Sequence, residues 1–410
     1  MPVNRSPLPP PDRPAVYVAG GDGPYRNTRR VLDQIGLGRW RGKRVLLKPN
    51  AGRVAPSGSG IVTHAEVVAA AMDAFRQAGA EVVVGESPIV GVDVAQAFEA
   101  SGIGAMAAQR GCRLIDLDRR RPVQLAVPRG RAIRKLKVCA DVLEADCLVS
   151  LPVMKMHMHT GVTLAVKNMK GCLWRRSKVE LHMLAPVADS EHKPIDIAIA
   201  DMASVLRAHV AIIDGTVAME GLGPSAGRAR PMDVVVASTD PFAADAVACR
   251  LMGTDARRVP HLQIGGDSGS GLIDLNRIDV APGNWQQWIT PLAPPPENLT
   301  LHFPGVIVLD NKSCSACQST LLLLLKRHRQ RLLDYFPDRQ RVHIAIGKGH
   351  QSLPPGALCV GNCTAHVRQA GIFVPGCPPV GSQILAAASG QPSAAVTDGG
   401  PREDERNEGR

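Results

Sequence analysis

Short apolar runs alternating with amphipathic stretches set the pattern of the chain. Arg44–Lys48, Val82–Val84, Cys147–Leu151, Ala211–Ile213 and Val234–Ala237 are each almost wholly apolar. A strand covered on both faces reads in this unbroken way, whereas a strand with one wet face alternates. Helical signals stand between the runs. Thr63 followed by Glu66 is a capping box, and Gly79 closes that helix. Residues 92–109 carry a second helical stretch, broken near Gly102 and Gly104. Asp240-Pro241 pairs a capping side chain with a proline at the first turn. Residues 113–117, 123–127 and 132–138 are expected strands around a basic turn.

This alternation predicts an α/β fold, with a mostly parallel sheet flanked by helices over residues 15–290. A smaller C-terminal α/β domain carrying a cysteine cluster is expected over residues 297–389. Its strands are Gly305–Leu309, Val342–Ile346, Ala357–Val360 and Ile372–Val374; its helices are Thr320–Tyr335 and Val380–Ala388. Pro282–Pro296 suits a linker between the two. Residues 1–14 and 390–410 are poor in apolar side chains and are expected to be disordered.

Composition narrows the function classes. Of 410 residues, 48 are Lys or Arg and 37 Asp or Glu, a net charge of +11. Such a charge points to an anionic partner. Nucleic acid is not expected, because single-strand binders stack bases on aromatic rings and only six Phe, four Trp and three Tyr are present. Much of the charge is local, in Arg119–Lys137, which reads as a solvated hairpin face. No apolar run approaches the ~20 residues of a membrane span, and Met1–Pro14 lacks an apolar signal core. A cytoplasmic location is therefore expected, with reduced thiols.

The ten cysteines fall into two populations. Cys112, Cys139, Cys147, Cys172 and Cys249 stand singly among apolar neighbours, as core residues do. Cys314-x-x-Cys317, Cys359-x-x-x-Cys363 and Cys377 crowd the last quarter, at strand ends and in Gly/Pro turns. Four thiolates hold zinc or an iron–sulfur cluster. The uneven spacing and the Gly-Cys377-Pro-Pro turn favour a 4Fe–4S cluster on Cys314, Cys317, Cys363 and Cys377, with Cys359 as the spare or a substitute for Cys363. Zinc is the alternative, and purely structural or redox cysteines a further one.

A second constellation runs from Leu151 to Gly171. Lys155, His157, His159, Lys167, Asn168 and Lys170 lie together there, and His182 follows. It opens at the end of a buried strand, where α/β sheets bind ligands. This density of donors suits a carboxylate or phosphate, or a metal with imidazole ligands. Other expected strand ends agree: Lys48, Asn50 and Arg53 after the first run, His64 at a helix mouth, Glu86 after the second run, and Asp214 before a Gly-rich loop. His157, His159, Lys167 and His182 are the candidate catalytic groups. Lys48, Asn50, Arg53, His64, Glu86, Lys155, Asn168, Lys170 and Asp214 are the candidate ligand-binding groups.

These segments together resemble the domain-of-unknown-function family numbered 362, over roughly residues 40–270. The likeness is carried by Lys48-Pro-Asn, Thr63-His, Gly85-Glu-Ser, Lys167-Asn-x-Lys-Gly, Asp214-Gly and Asp240-Pro. It implies an iron–sulfur protein, since that family is known mainly as a domain of such proteins, although many members carry closely spaced ferredoxin-like cysteines that this chain lacks. A fainter similarity is to the nickel-pincer lactate racemases, through the offsets of His157, Lys167 and His182 and the places of Asn50 and Arg53. Asn50 stands where those enzymes have an acid, and no Gly-Gly precedes Lys167. Three functions compete. The first is an iron–sulfur oxidoreductase or electron-transfer component, with a small anionic substrate in an interdomain cleft and a redox partner protein. The second is a metal-dependent racemase or isomerase of a 2-hydroxy acid. The third is a non-enzymatic binding module using the basic hairpin.

Overall fold

Each apolar run becomes a strand whose successive residues face two different cores. In the computed structural model, Val45 and Leu47 pack into one cluster and Leu46 into the other; Val149 and Leu148 divide the same way, as do Ile212 and Ile213. Covering both faces is what a parallel sheet requires. The structure describes residues 12–182, 184–185, 187–295, 303–313, 315–376, 378–379 and 381–390. Two compact units divide at Leu299/Thr300.

The described residues of the first unit hold twelve strands: β1 (Ala15–Gly20), β2 (Arg44–Pro49), β3 (Glu81–Glu86), β4 (Arg113–Asp116), β5 (Val123–Ala126), β6 (Lys135–Val138), β7 (Cys147–Leu151), β8 (Val153–His157), β9 (Gly161–Thr163), β10 (Val210–Glu220), β11 (Arg228–Ser238) and β12 (Asp279–Ala281). Ten of them make one sheet in the order β12-β1-β11-β10-β7-β2-β3-β4, with β8 paired to β10 and β9 to β8. β4, β3, β2, β7 and β10 run parallel, so their carboxyl ends share one edge. Helices α1 (Gly23–Asp33), α2 (Ala65–Gln77), α3 (Val94–Ala100) and α4 (Ile103–Gln109) cover one face. Following α5 (Ala140–Glu144), the helices α6 (Ala165–Asn168), α7 (Ser177–Glu180), α8 (Pro194–Ala203), α9 (Pro241–Leu251) and α10 (Pro260–Asp267) belong with the other.

Two expectations change in detail. The helix expected to start at Thr63 is capped by His64, whose Nδ1 accepts from Glu66 N; Thr63 is fully buried and its hydroxyl donates to Leu151 O at 2.6 Å. Asp214-Gly215 does not end a strand: β10 continues through a bulge to Glu220 and pairs antiparallel with an equally long β11. The Gly-rich loop therefore joins two paired strands. The 92–109 stretch splits into α3 and α4 at Gly102, as its glycines predict. Asp240 accepts from Phe242 N and Ala243 N, as a cap should. The five solitary cysteines are all buried.

The second unit holds a parallel four-stranded sheet, β13 (Val306–Asp310), β14 (Val342–Ile346), β15 (Ala357–Val360) and β16 (Gly371–Val374), in that order. Helices α11 (Ser315–Leu333) and α12 (Gly381–Ala388) pack its apolar side through Leu321, Leu324, Leu325, Ile384 and Leu385. No helix among the described residues is long and apolar enough to cross a membrane.

The basic hairpin β5–β6 forms a sheet of its own. Its tip is held by one carboxylate oxygen of Asp201 in α8, which accepts from Arg131 N (2.8 Å), Ala132 N (2.7 Å) and Ile133 N (3.1 Å). Truncating Asp201 strands three backbone donors, and an unpaired buried donor costs about 1–3 kcal/mol. Asp201→Ala is expected to lower unfolding stability by about 2–3 kcal/mol in urea denaturation, with Asp201→Asn losing less. A change within about 0.5 kcal/mol would show that the hairpin stands without it.

Candidate functional site

The carboxyl ends of β2, β3 and β7 meet in a knot of buried polar groups. Lys48 Nζ lies 2.8 Å from Glu86 Oε1 and 3.0 Å from Oε2, and both side chains are almost wholly excluded from solvent. Glu86 also accepts from Ala51 N (2.8 Å) and Ser87 N (2.9 Å), so each oxygen is shared between a lysine and a backbone donor. Asn168 completes the set: its Oδ1 accepts from Lys48 Nζ, and its Nδ2 donates to Lys48 O and Ser150 Oγ. A buried ion pair is tolerated only when its remaining lone pairs and protons are matched in this way. Lys48, Glu86 and Asn168, expected as ligand-binding groups, thus spend their hydrogen bonds on one another. Gly171 is part of the same arrangement, since a Cβ there would lie 2.5 Å from Lys48 Cε and 2.9 Å from Glu86 Oε1.

Beside this knot stands a group of cations with no acid among them. Lys155, in β8, donates to Ile61 O at 2.8 Å and approaches Asn50 Oδ1 at 3.5 Å. Lys167, in α6, donates to Thr163 Oγ1 at 3.0 Å. Lys170, on the turn after α6, contacts His182 Nε2. Each of these three amines has a neutral partner, and none is within ion-pair reach of a carboxylate among the described residues. Burial, then the neighbouring charges, pushes the Lys155 and Lys170 ammonium groups well below the ordinary range. Burial brings Lys167 down to about 8. His157 and His182 are likewise held well below the usual imidazole value, first by burial and then by Lys167 and Lys170. His157 Nδ1 accepts from His159 N at 3.2 Å, which leaves the ring proton on Nε2. The His157 and His159 rings meet edge to face at 5.9 Å. Arg53 adds its charge from the loop after β2, acting on Lys155.

Two of the surrounding acids are committed elsewhere, while Asp196 acts weakly on Lys167 against the effect of burial. Asp214, on β10, accepts from His64 N (2.7 Å) and Thr216 N (2.9 Å), joining the start of α2 to the sheet. The His64 ring is occupied in capping α2. Asp245, on α9, accepts from Ala165 N (2.7 Å) and Val166 N (3.0 Å) and so fixes the start of α6. Burial pushes its carboxyl up to about 8. The Gly-rich loop after β10 reaches the site as well, where Met158 N donates to Gly223 O at 3.3 Å.

The structure therefore brings Asn50, Lys155, His157, His159, Lys167, Lys170 and His182 to one place, with Arg53 acting on it. Lys48, Glu86 and Asn168 form the adjoining knot, and His64 and Asp214 sit in the frame. Lys178 was missed by sequence reading. It is buried against Ser87 O, Leu173 O and Asp118, and a lone lysine after two exposed arginines carries no signal for this. In the second unit Cys317 is buried and Cys363 half-buried, on the turn after β15. Cys359 is fully buried on β15, with its thiol directed at Ala357 O and Val367 O. Cys314 and Cys377 lie outside the described residues. No group of three or more His, Cys, Asp or Glu that could hold a metal is present among the described residues.

The carboxyl edge of the α/β sheet thus gathers desolvated lysines and imidazoles. The family described as "Domain of unknown function (DUF362)" matches residues 45–250, half of the sequence, and the chain belongs to it. A thylakoid-associated protein of Synechocystis is 28% identical over 245 residues, covering 57% of this chain and 71% of that protein. The apoprotein structure of a lactate racemase from Thermoanaerobacterium thermosaccharolyticum aligns at a TM-score of 0.40 and 14% identity, over 58% of this chain. This chain spans 56% of that structure, little more than half its length.

Removing one partner of a buried, matched ion pair leaves the other charge uncompensated, at a cost of about 3–5 kcal/mol. Glu86→Ala is expected to lose that much stability in chemical denaturation. The double change Lys48→Met, Glu86→Leu should recover most of it. Equal losses in the single and double variants would show that the pair is not the source.

Proposed function

We propose that the chain is an iron–sulfur redox protein whose first unit binds a small anionic substrate. Lys155, Lys167, Lys170 and Arg53 are the anchors for its carboxylate or phosphate. The observation that carries this reading is the set of buried amines without a carboxylate partner. Charges withdrawn from water need a counter-charge, and a bound anion supplies it. An anion would also restore the lowered amines and imidazoles to their charged forms, since an opposite charge favours ionisation. His157, neutral with its proton on Nε2, and His159 beside it are placed to give or take a proton at the bound molecule.

The cofactor proposed is a 4Fe–4S cluster on Cys314, Cys317, Cys363 and Cys377, with zinc as the alternative. The donor chemistry supports it. Cys317 Sγ lies 3.3 Å from where a Cβ on Gly361 would stand, two residues before Cys363. Asn362 N donates to Gly376 O and Gly376 N to Asn362 Oδ1, both at 2.8 Å, so the residues before Cys363 and before Cys377 in sequence are tied together. Gly361 has φ +94°, which suits glycine there. When bound, a cluster of this kind supplies electron-transfer chemistry.

Anaerobic purification of the full chain tests the reading. About four iron and four acid-labile sulfide per chain, with visible absorption, are expected for this cluster type. Cys363→Ser should abolish them, and Cys359→Ala should leave them in place. A colourless protein with stoichiometric zinc, or a cluster that survives Cys363→Ser and disappears with Cys359→Ala, would contradict the assignment.

A further inference from the structure

Three short segments of the first unit carry exposed positive charge that no ion pair among the described residues takes up. β5 and β6 pair with Gln124 opposite Lys137 and Ala126 opposite Lys135. Those four side chains are exposed, while Leu125 and Leu136 are buried on the other face. Period-two alternation therefore gives the hairpin one wet face that bears both lysines. The turn after β4 adds exposed Arg119 and Arg121, and the residues just before α7 add exposed Arg175 and Arg176. Arg120, between the first two, is spent on Asp141 at 3.2 Å and Glu144 at 2.6 Å. Asp118 is bound within the fold, so the free acids nearby are Asp116 and Glu180, which the cations outnumber.

These segments are fastened to one another and to an apolar tip. Trp174 N donates to Lys137 O at 2.9 Å, Trp174 Nε1 to Asp118 O at 3.2 Å, and Arg175 N to Asp118 Oδ1 at 2.6 Å. Asp118 Oδ2 accepts from Ser87 Oγ at 2.7 Å, which brings the loop after β3 to the same place. That loop carries Ile89 and Val90, and Ile89 N donates to Gly52 O at 3.2 Å, two residues before Val54. Ile89, Val90 and Val54 are the large apolar side chains left exposed among the described residues, at 39%, 44% and 52%. Scattered singly, such side chains would mean little. Here they stand on two bonded loops, next to uncompensated cations.

We propose that this surface docks peripherally on an anionic lipid bilayer, with the cations on the headgroups and Ile89, Val90 and Val54 at the acyl boundary. A bilayer surface sets negative charge directly above an apolar interior, which is the complement of a basic face with an apolar tip. It accepts protruding side chains without a matching hollow. A stable protein partner would need shape complementarity over about 800 Å² per side. Single-stranded nucleic acid would need free ring faces for its bases. The ring at hand, the half-buried Trp174, has the Arg175 guanidinium over it at 4.7 Å. The docking surface is separate from the anion site and from the cysteines, and depends on neither reading.

The test is co-sedimentation of the full-length protein with phosphatidylcholine vesicles, with and without phosphatidylglycerol, at low and high salt. Binding is expected only where phosphatidylglycerol is present, and it should fall as salt rises. Lys135→Gln with Lys137→Gln should weaken it about 20-fold, from about fivefold per cation. Ile89→Ser with Val90→Ser should weaken it about tenfold or more and leave the salt dependence as it was. Equal recovery with both kinds of vesicle, or recovery with neither, overturns the proposal. Wild-type affinity in the Ile89→Ser, Val90→Ser variant also overturns it and would assign the basic face to an acidic protein instead. If either variant does not fold, the wild-type comparison of the two vesicles decides alone.

Discussion

Buried positive charge without matching negative charge is the constraint on which the first unit is built. A desolvated ammonium is stabilised by a carboxylate, by neutralisation or by a ligand. Carboxylate pairing and burial against neutral partners both occur within one neighbourhood. Lys48 is matched by Glu86, with every remaining hydrogen-bonding position filled. Lys178 is held by carbonyls and Asp118. Lys155, Lys167 and Lys170 have only neutral partners, and their ammonium forms are correspondingly destabilised. The first two are structural solutions. The third group has no carboxylate partner among the described residues.

The sheet makes this placement affordable. Parallel strands bring the ends of β2, β3 and β7 side by side, so residues distant in sequence meet without long loops. Asn168 bonds to Lys48 across that edge, and Thr63 ties the start of α2 to the end of β7. Asp245 and Asp214 then fix α6 and α2 by accepting from their first backbone amides. The cations are thus carried on elements whose ends are pinned by acids that have no charge to spare for them.

Much of this was legible in the chain. Unbroken apolar runs marked the doubly covered strands, Asp240-Pro241 marked the start of α9, and the density of Lys and His between Lys155 and Lys170 marked the site. What escaped detection was tertiary in origin. His64 displaced Thr63 as the cap because the Thr63 hydroxyl is drawn to Leu151 O, a contact invisible along the sequence. The extent of β10 and β11 was hidden by Gly215 and by the polar residues Arg228–Asp233, which read as loop but pair across an antiparallel ladder.

The central claim is that the cationic site is completed by an anion, and calorimetry tests it most directly. Inorganic phosphate and malonate would be titrated into the full-length protein at constant ionic strength. Two buffers of different ionisation heat would be used near pH 8, where Lys167 is about half charged. The expected result is saturable binding with proton uptake, because an anion raises the depressed pKa values of the amines and imidazoles around it. Heats that follow only ionic strength, or binding with no proton exchanged, would contradict the account.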